Sequence, residues 1–89
     1  MSYSISDFKS DFFMTPAQCK AARALLGREQ DEIAKAASIA RTTLIDFEAG
    51  RRVPRATTIA AIRAALEAAG VIFIEENGEG PGVRLKKNG

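Results

Sequence analysis

The sequence predicts a mainly α-helical domain of four to five short helices that ends in a β-hairpin or strand pair. Three observations predict it. Apolar residues recur at three- and four-residue spacing between Thr15 and Ala69, the pattern of helices with one buried face. Pro16, Gly27, Gly50, Pro54 and Gly70 punctuate that stretch, so it divides into short helices. Beyond Gly70 the period changes to that of strands, in Val71-Ile72-Phe73-Ile74 and again where Val83 and Leu85 alternate with Arg84 and Lys86.

The first clear helix has a well-marked start. Thr15 can cap it, Pro16 suits a first helical position where no N–H partner is needed, and Gln18 completes a capping box. The helix should run to Leu26 and stop at Gly27, with Ala22, Leu25 and Leu26 on its inner side. Ahead of it, residues 1–14 form an arm in which Ile5, Phe8, Phe12 and Phe13 can share one face of a short helix that Ser6 can cap, with a disordered start as the alternative. That much aromatic surface is expected to dock on the domain or on a partner subunit.

The segment from Gln30 to Gly50, QDEIAKAASIARTTLIDFEAG, is the most informative. Ile33, Ala34 and Ala37 keep helical spacing, Ile39 breaks phase, and Leu44, Phe47 and Glu48 restart it. Two short helices joined by a tight connection fit this pattern, and such a pair can present its second helix to a DNA major groove. Ala34 and Ala37 are small where the helices must cross at roughly 8 to 10 Å. Gly50 ends the second of the two. Pro54 disfavours helix at Val53, so the next helix starts near Ala56 or Thr57, carries Ile59, Ile62, Leu66 and Ala69 inward and closes at Gly70. That helix reads as scaffold.

In the hairpin, Asn77-Gly78 signals the turn. Its first strand is apolar on both faces, more than four helices are expected to cover, and a lone two-stranded ribbon is marginal in water. Strands of two subunits are therefore expected to pair, with Val71, Ile72, Phe73, Ile74, Val83 and Leu85 as the dimer interface. A hairpin folded over its own helices is the alternative. The chain thus divides into an arm at 1–14, a helical domain at 15–70 and a hairpin at 71–89.

Composition excludes several classes of function. These 89 residues are expected to make one domain, without a separate effector-binding domain. The net charge is only +2, so bulk charge does not announce nucleic acid. Its distribution says more: residues 15–55 carry eight basic against five acidic side chains, and residues 56–89 balance at zero. A lone Cys19 permits no internal disulfide, and without histidine there is no zinc constellation, so neither metal nor cofactor is expected. No stretch approaches the roughly 20 apolar residues of a membrane span, and residues 1–14 lack the basic start and apolar centre of a leader. The expected location is the cytoplasm. No paired carboxylates or Gly-rich phosphate loop suggest an enzyme.

LLGREQDEIAKAA, then ARTTLIDFEAGRR and Pro54, resembles the XRE (Cro/C1, phage-repressor-like) helix-turn-helix regulators, over about Thr15 to Ala69. Gln30 at the start of the second helix and the Phe47-Glu48-x-Gly50 ending are the more specific marks. The chain departs from the family pattern at Glu29 and Ala40, where Ser or Thr caps are usual, and at Ser38, where Gly is usual. Replacing a good cap by Ala costs on the order of 1 kcal/mol, and a non-glycine residue at positive φ is uncommon.

The resemblance implies a lambda-repressor-like helix-turn-helix domain that binds double-stranded DNA. It implies a sequence-specific transcriptional regulator, a homodimeric repressor or autoregulator with the third helix in the major groove of a palindromic operator. Ala40, Arg41, Thr42, Ile45 and Asp46 would meet base edges, and Arg41 is the direct reader because its fork fits guanine O6 and N7. Thr42 and Thr43 can bond phosphate or touch a thymine methyl. Asp46 either accepts from cytosine N4 or orients Arg41, and the sequence leaves both open. Gln30, Thr43, Arg51, Arg52 and Arg55 would hold phosphates, while Arg23 and Glu48 form a structural pair. A protein-binding module with this fold, such as an antitoxin or adaptor, is the alternative, and a regulatory protein partner is compatible with either.

Overall fold

The computed structural model describes residues 13–87. Four helices precede a two-stranded antiparallel sheet: α1 (Pro16–Leu26), α2 (Gln30–Ala37), α3 (Arg41–Glu48), α4 (Ala56–Ala68), β1 (Val71–Ile74) and β2 (Gly82–Leu85). The expected arm helix, with Ile5, Ser6, Phe8 and Phe12, lies outside the described residues. Met14, placed in the arm from sequence, is instead fully buried in the core.

Helix α1 starts and stops as its sequence predicts. Thr15 Oγ1 accepts from the Gln18 N–H at 3.0 Å, and Gln18 Oε1 accepts from the Thr15 N–H at 2.8 Å. Gly27 then turns left-handed (φ 68°), so the N–H groups of Gly27 and Arg28 reach back to the carbonyls of Ala24 and Arg23. Cys19 and Ala22 are buried and Leu26 is half-buried. Leu25 is 45% exposed, contrary to the core assignment. At 100° per residue it is turned away from the face that positions 19, 22 and 26 share.

Between α2 and α3 the chain turns through Ser38, Ile39 and Ala40. Ser38 adopts the left-handed conformation (φ 59°) that a glycine would take without strain, and the Ile39 N–H bonds the Ala34 carbonyl at 3.0 Å. The turn therefore keeps the expected geometry despite its serine. The Glu32 carboxylate accepts from the Glu29 N–H at 2.9 Å and serves the start of α2. Ala40 gives α3 no side-chain cap. An Ala40→Ser protein should consequently gain about 1 kcal/mol of stability, read as a higher urea midpoint at unchanged slope.

One core joins all elements. Ile33 and Ala34 of α2, Leu44 and Phe47 of α3, and Ile59, Ile62 and Leu66 of α4 meet Met14, Cys19 and Ala22. Gly50 ends α3 with φ 75°, the Gly50 and Arg51 N–H groups bonding the carbonyls of Phe47 and Asp46. Helix α4 begins at Ala56, as the proline placement predicts.

The strands pair within the chain, Val71 opposite Leu85 and Phe73 opposite Val83, and the Lys86 N–H bonds the Gly70 carbonyl at 2.6 Å. The hairpin packs on α1 and α4. Four helices cover more of β1 than its composition suggests: Val71 and Phe73 complete the chain's own core, and Val83 packs partly against it. Val71 and Phe73 thus belong to the protomer's interior, whereas Val83 is half-buried. Of the residues assigned to a dimer interface, Ile72 and Leu85 stay 40% and 47% exposed, while Ile74 is half-buried.

Two polar side chains fasten the hairpin. Gln18 Nε2 donates to the Gly82 carbonyl at 3.0 Å and to that of Ile74 at 3.4 Å. Arg63, buried in α4, donates to the Phe13 carbonyl at 2.7 Å, to Glu67 at 3.1 Å and to Glu75 at 3.3 Å. Its guanidinium carbon lies 4.7 Å from the centroid of the Phe73 ring. A buried guanidinium needs such partners, because an unpaired charge in the core would be costly.

Candidate nucleic-acid interface

Eight residues make α3, and their spacing sorts them into an anchor and a presented face. Leu44, Phe47 and Glu48 are buried against the scaffold. Successive residues turn by 100°, so Thr42, Ile45 and Asp46 point the other way, with Arg41 at the margin nearest α2. Ala40, Arg41 and Thr42 are exposed; Thr43, Ile45 and Asp46 are half-buried.

Glu48 holds the anchor. Its carboxylate is only 4% exposed as a residue and takes a two-pronged bond from Arg23, Nε to Oε2 and NH2 to Oε1, both at 2.7 Å. The pair expected from sequence is therefore present. Cys19 Sγ donates to Oε2 at 3.2 Å and Gln30 Nε2 to Oε1 at 3.0 Å, two partners that the sequence reading missed. Cys19 lies one helical turn before Arg23 on α1, so the acceptor of one is within reach of the other.

Burial alone would raise the Glu48 pKa, but the bonds from Arg23, Cys19 and Gln30 outweigh it and hold the carboxyl below its ordinary value. Arg23 is shifted upward by its bond to Glu48. Burial first, and then the bond to the Glu48 carboxylate, push the Cys19 thiol far up. It stays a protonated donor, buried and unreactive.

Gln30 was expected to lie over the DNA backbone, with its side chain and the N-terminus of α2 both able to bond a phosphate. Its amide NH2 instead bonds Glu48, which has an acceptor oxygen to fill inside the fold. Asp46 pairs with Arg51 rather than orienting Arg41, Oδ1 accepting from Nε at 3.2 Å and NH2 at 3.1 Å. Arg41 Nε is in contact with Asp31 Oδ1, an ion pair that joins the first turns of α2 and α3. Arg52 and Arg55 are exposed and form no ion pair among the described residues.

An open groove of about 460 Å³ lies between α1, α2 and α3. Lys20, Arg23 and Arg51 line it together with Glu29, Gln30, Ile45, Glu48 and Ala49. Lys20, absent from the expected contacts, adds a cation to this wall; its position one residue after Cys19 gave no sign of it. Among the described residues no cluster of His, Cys, Asp or Glu could hold a metal, and no helix is long and apolar enough to cross a membrane.

A model of the helix-turn-helix family matches residues 20–68, more than half of the chain. No curated protein matches it. The matched span contains α2, the left-handed turn at Ser38, α3 and α4, the elements that build the presented face. With an anchored third helix and basic side chains at both of its ends, the chain belongs to the helix-turn-helix regulators of the XRE, Cro/C1 type, a family of DNA-binding regulatory domains rather than of enzymes.

Proposed function

We propose that the protein is a homodimeric transcriptional repressor or autoregulator that works in the cytoplasm on a palindromic operator. The observation that carries this reading is the exposed face of α3, held at a fixed angle by the buried Glu48 and its donors. Arg41 reads guanine, Thr42 and Ile45 meet neighbouring base edges, and Ala40 lets the helix start come close to the groove. Asp46 is half-buried beside Arg51 and accepts from a base only by sharing or leaving that pair. Thr43, Arg51, Arg52 and Arg55 bind phosphates, and Lys20 joins them from α1. At the start of α2 the backbone N–H of Gln30 serves a phosphate, since its side-chain amide is engaged by Glu48. Each phosphate neutralised adds roughly 0.9 to the salt slope.

Dimerisation is supported by Ile72 and Leu85, exposed apolar residues on a sheet that has two strands among the described residues. Selection from a random duplex library tests both parts of the proposal. A palindrome with half-sites about one helical turn apart is the expected product. A single unpaired half-site would point to a monomer, and failure to enrich any duplex would favour a protein-binding module. On the selected site, an Arg41→Ala protein should stay folded but lose about 1 to 3 kcal/mol of discrimination at one base-pair position. Unchanged discrimination would assign the reading to another residue.

A further inference from the structure

We infer that Asp31 is a specificity-determining residue, which positions Arg41 for base reading and keeps it off phosphates. This rests on α3 being the DNA-reading helix. Asp31 is the second residue of α2 and Arg41 the first of α3, so their contact crosses the turn between two helices whose relative angle Glu48 fixes. Both side chains are well exposed, 71% for Asp31 and 61% for Arg41. Neither is buried by the contact, so it is open to an incoming ligand.

The atoms used matter. Asp31 Oδ1 lies against Nε of the guanidinium as an ion pair, and among the described residues the terminal NH1 and NH2 groups donate no hydrogen bond to a residue other than Asp31. That terminal edge is one with which an arginine bonds guanine O6 and N7 together. An unpaired arginine on a flexible stem meets phosphate as readily as a base, because phosphate fits the same fork and carries charge. With Asp31 alongside, the pair is neutral as a unit. A phosphate is repelled by the carboxylate, whereas the uncharged edge of guanine is not.

The test compares Asp31→Asn with the parent protein, as full-length chains, on the selected operator and on random duplex at several salt concentrations. The substitution should tighten binding to random duplex and steepen its salt dependence by about 0.9 in log-log slope, one further phosphate being neutralised. Discrimination at the base pair read by Arg41 should fall about five-fold, the scale of one exposed ion pair. In an Arg41→Ala background the same substitution should leave base preference unchanged.

Loss of a carboxylate from the first turn of α2 also weakens the helix-dipole interaction. That effect lowers the melting midpoint alone and does not move base preference. An unchanged ratio and slope, or an equal change in the Arg41→Ala background, would overturn the role of Asp31 while leaving the reading helix in place. If the parent protein selects no duplex at all, the reading helix and the role of Asp31 fall together.

Discussion

A Glu48→Ala protein should lose about 3 to 5 kcal/mol of folding free energy, the range for breaking a buried ion pair by removing one partner. The reason is what remains. The Arg23 guanidinium, the Cys19 thiol and the Gln30 amide all donate to this carboxylate, and the first is left as a half-buried charge that keeps only its bond to the Arg28 carbonyl. Against a total of about 5 to 15 kcal/mol for a domain, much of the population would unfold near physiological temperature. Urea denaturation followed by circular dichroism measures the loss as a shifted midpoint. A loss under 1 kcal/mol would mean that water replaces the carboxylate without difficulty.

The same residue sets part of the acid response. Its carboxyl is held below the ordinary value in the folded protein, so the stability it contributes is fully present above the unfolded glutamate pKa of about 4.3 and is lost as pH falls through the lower folded value. A Glu48→Gln protein should lack that part of the acid limb, while also placing an amide NH2 among donors that need an acceptor. Comparing urea midpoints of the two proteins from pH 6 to pH 3 isolates the effect.

Leu44→Ala should cost about 2 to 5 kcal/mol, the range for emptying a packed leucine site. Leu44 is fully buried on the inner side of α3, so its truncation loosens α3 from the scaffold. Thr42→Ala, on the exposed side of the same helix, should stay within about 0.5 kcal/mol. The pair of urea curves therefore reports the helix orientation directly. Equal losses at the two positions would mean that α3 is rotated from the arrangement described.

Local signals made most of the helices readable. The Thr15–Gln18 capping box and the stops at Gly27 and Gly50 depend on neighbours in sequence, and periodicity alone turned Leu44, Phe47 and Glu48 inward. Arg23 was matched to Glu48 through resemblance to a family. Arg63 was not legible: in an alanine-rich helix it reads as a solvent-facing cation, and only the returning hairpin brings Glu75 and Phe73 to it.

Asp46 shows why the site was read only in part. Arg41 and Arg51 both lie five residues from it, one on each side. Five residues along a helix turn the side chain about 140° away, which separates Asp46 from Arg41. The left-handed Gly50 folds the chain back instead, and the Arg51 N–H bonds the Asp46 carbonyl at 2.9 Å. A single backbone angle thus decided which arginine stayed beside Asp46.

Gln18 gives the domain a closed circuit. One side of its amide completes the start of α1, and the other holds the carbonyls where β1 leaves and β2 returns. Peeling the hairpin away would strip this side chain of its far contacts and loosen the first turn of α1, the helix that carries Arg23 to Glu48. A strand docked on the hairpin from outside would act in the opposite sense. Assembly through the hairpin, as proposed, would in this way be mechanically continuous with the rigidity of α3.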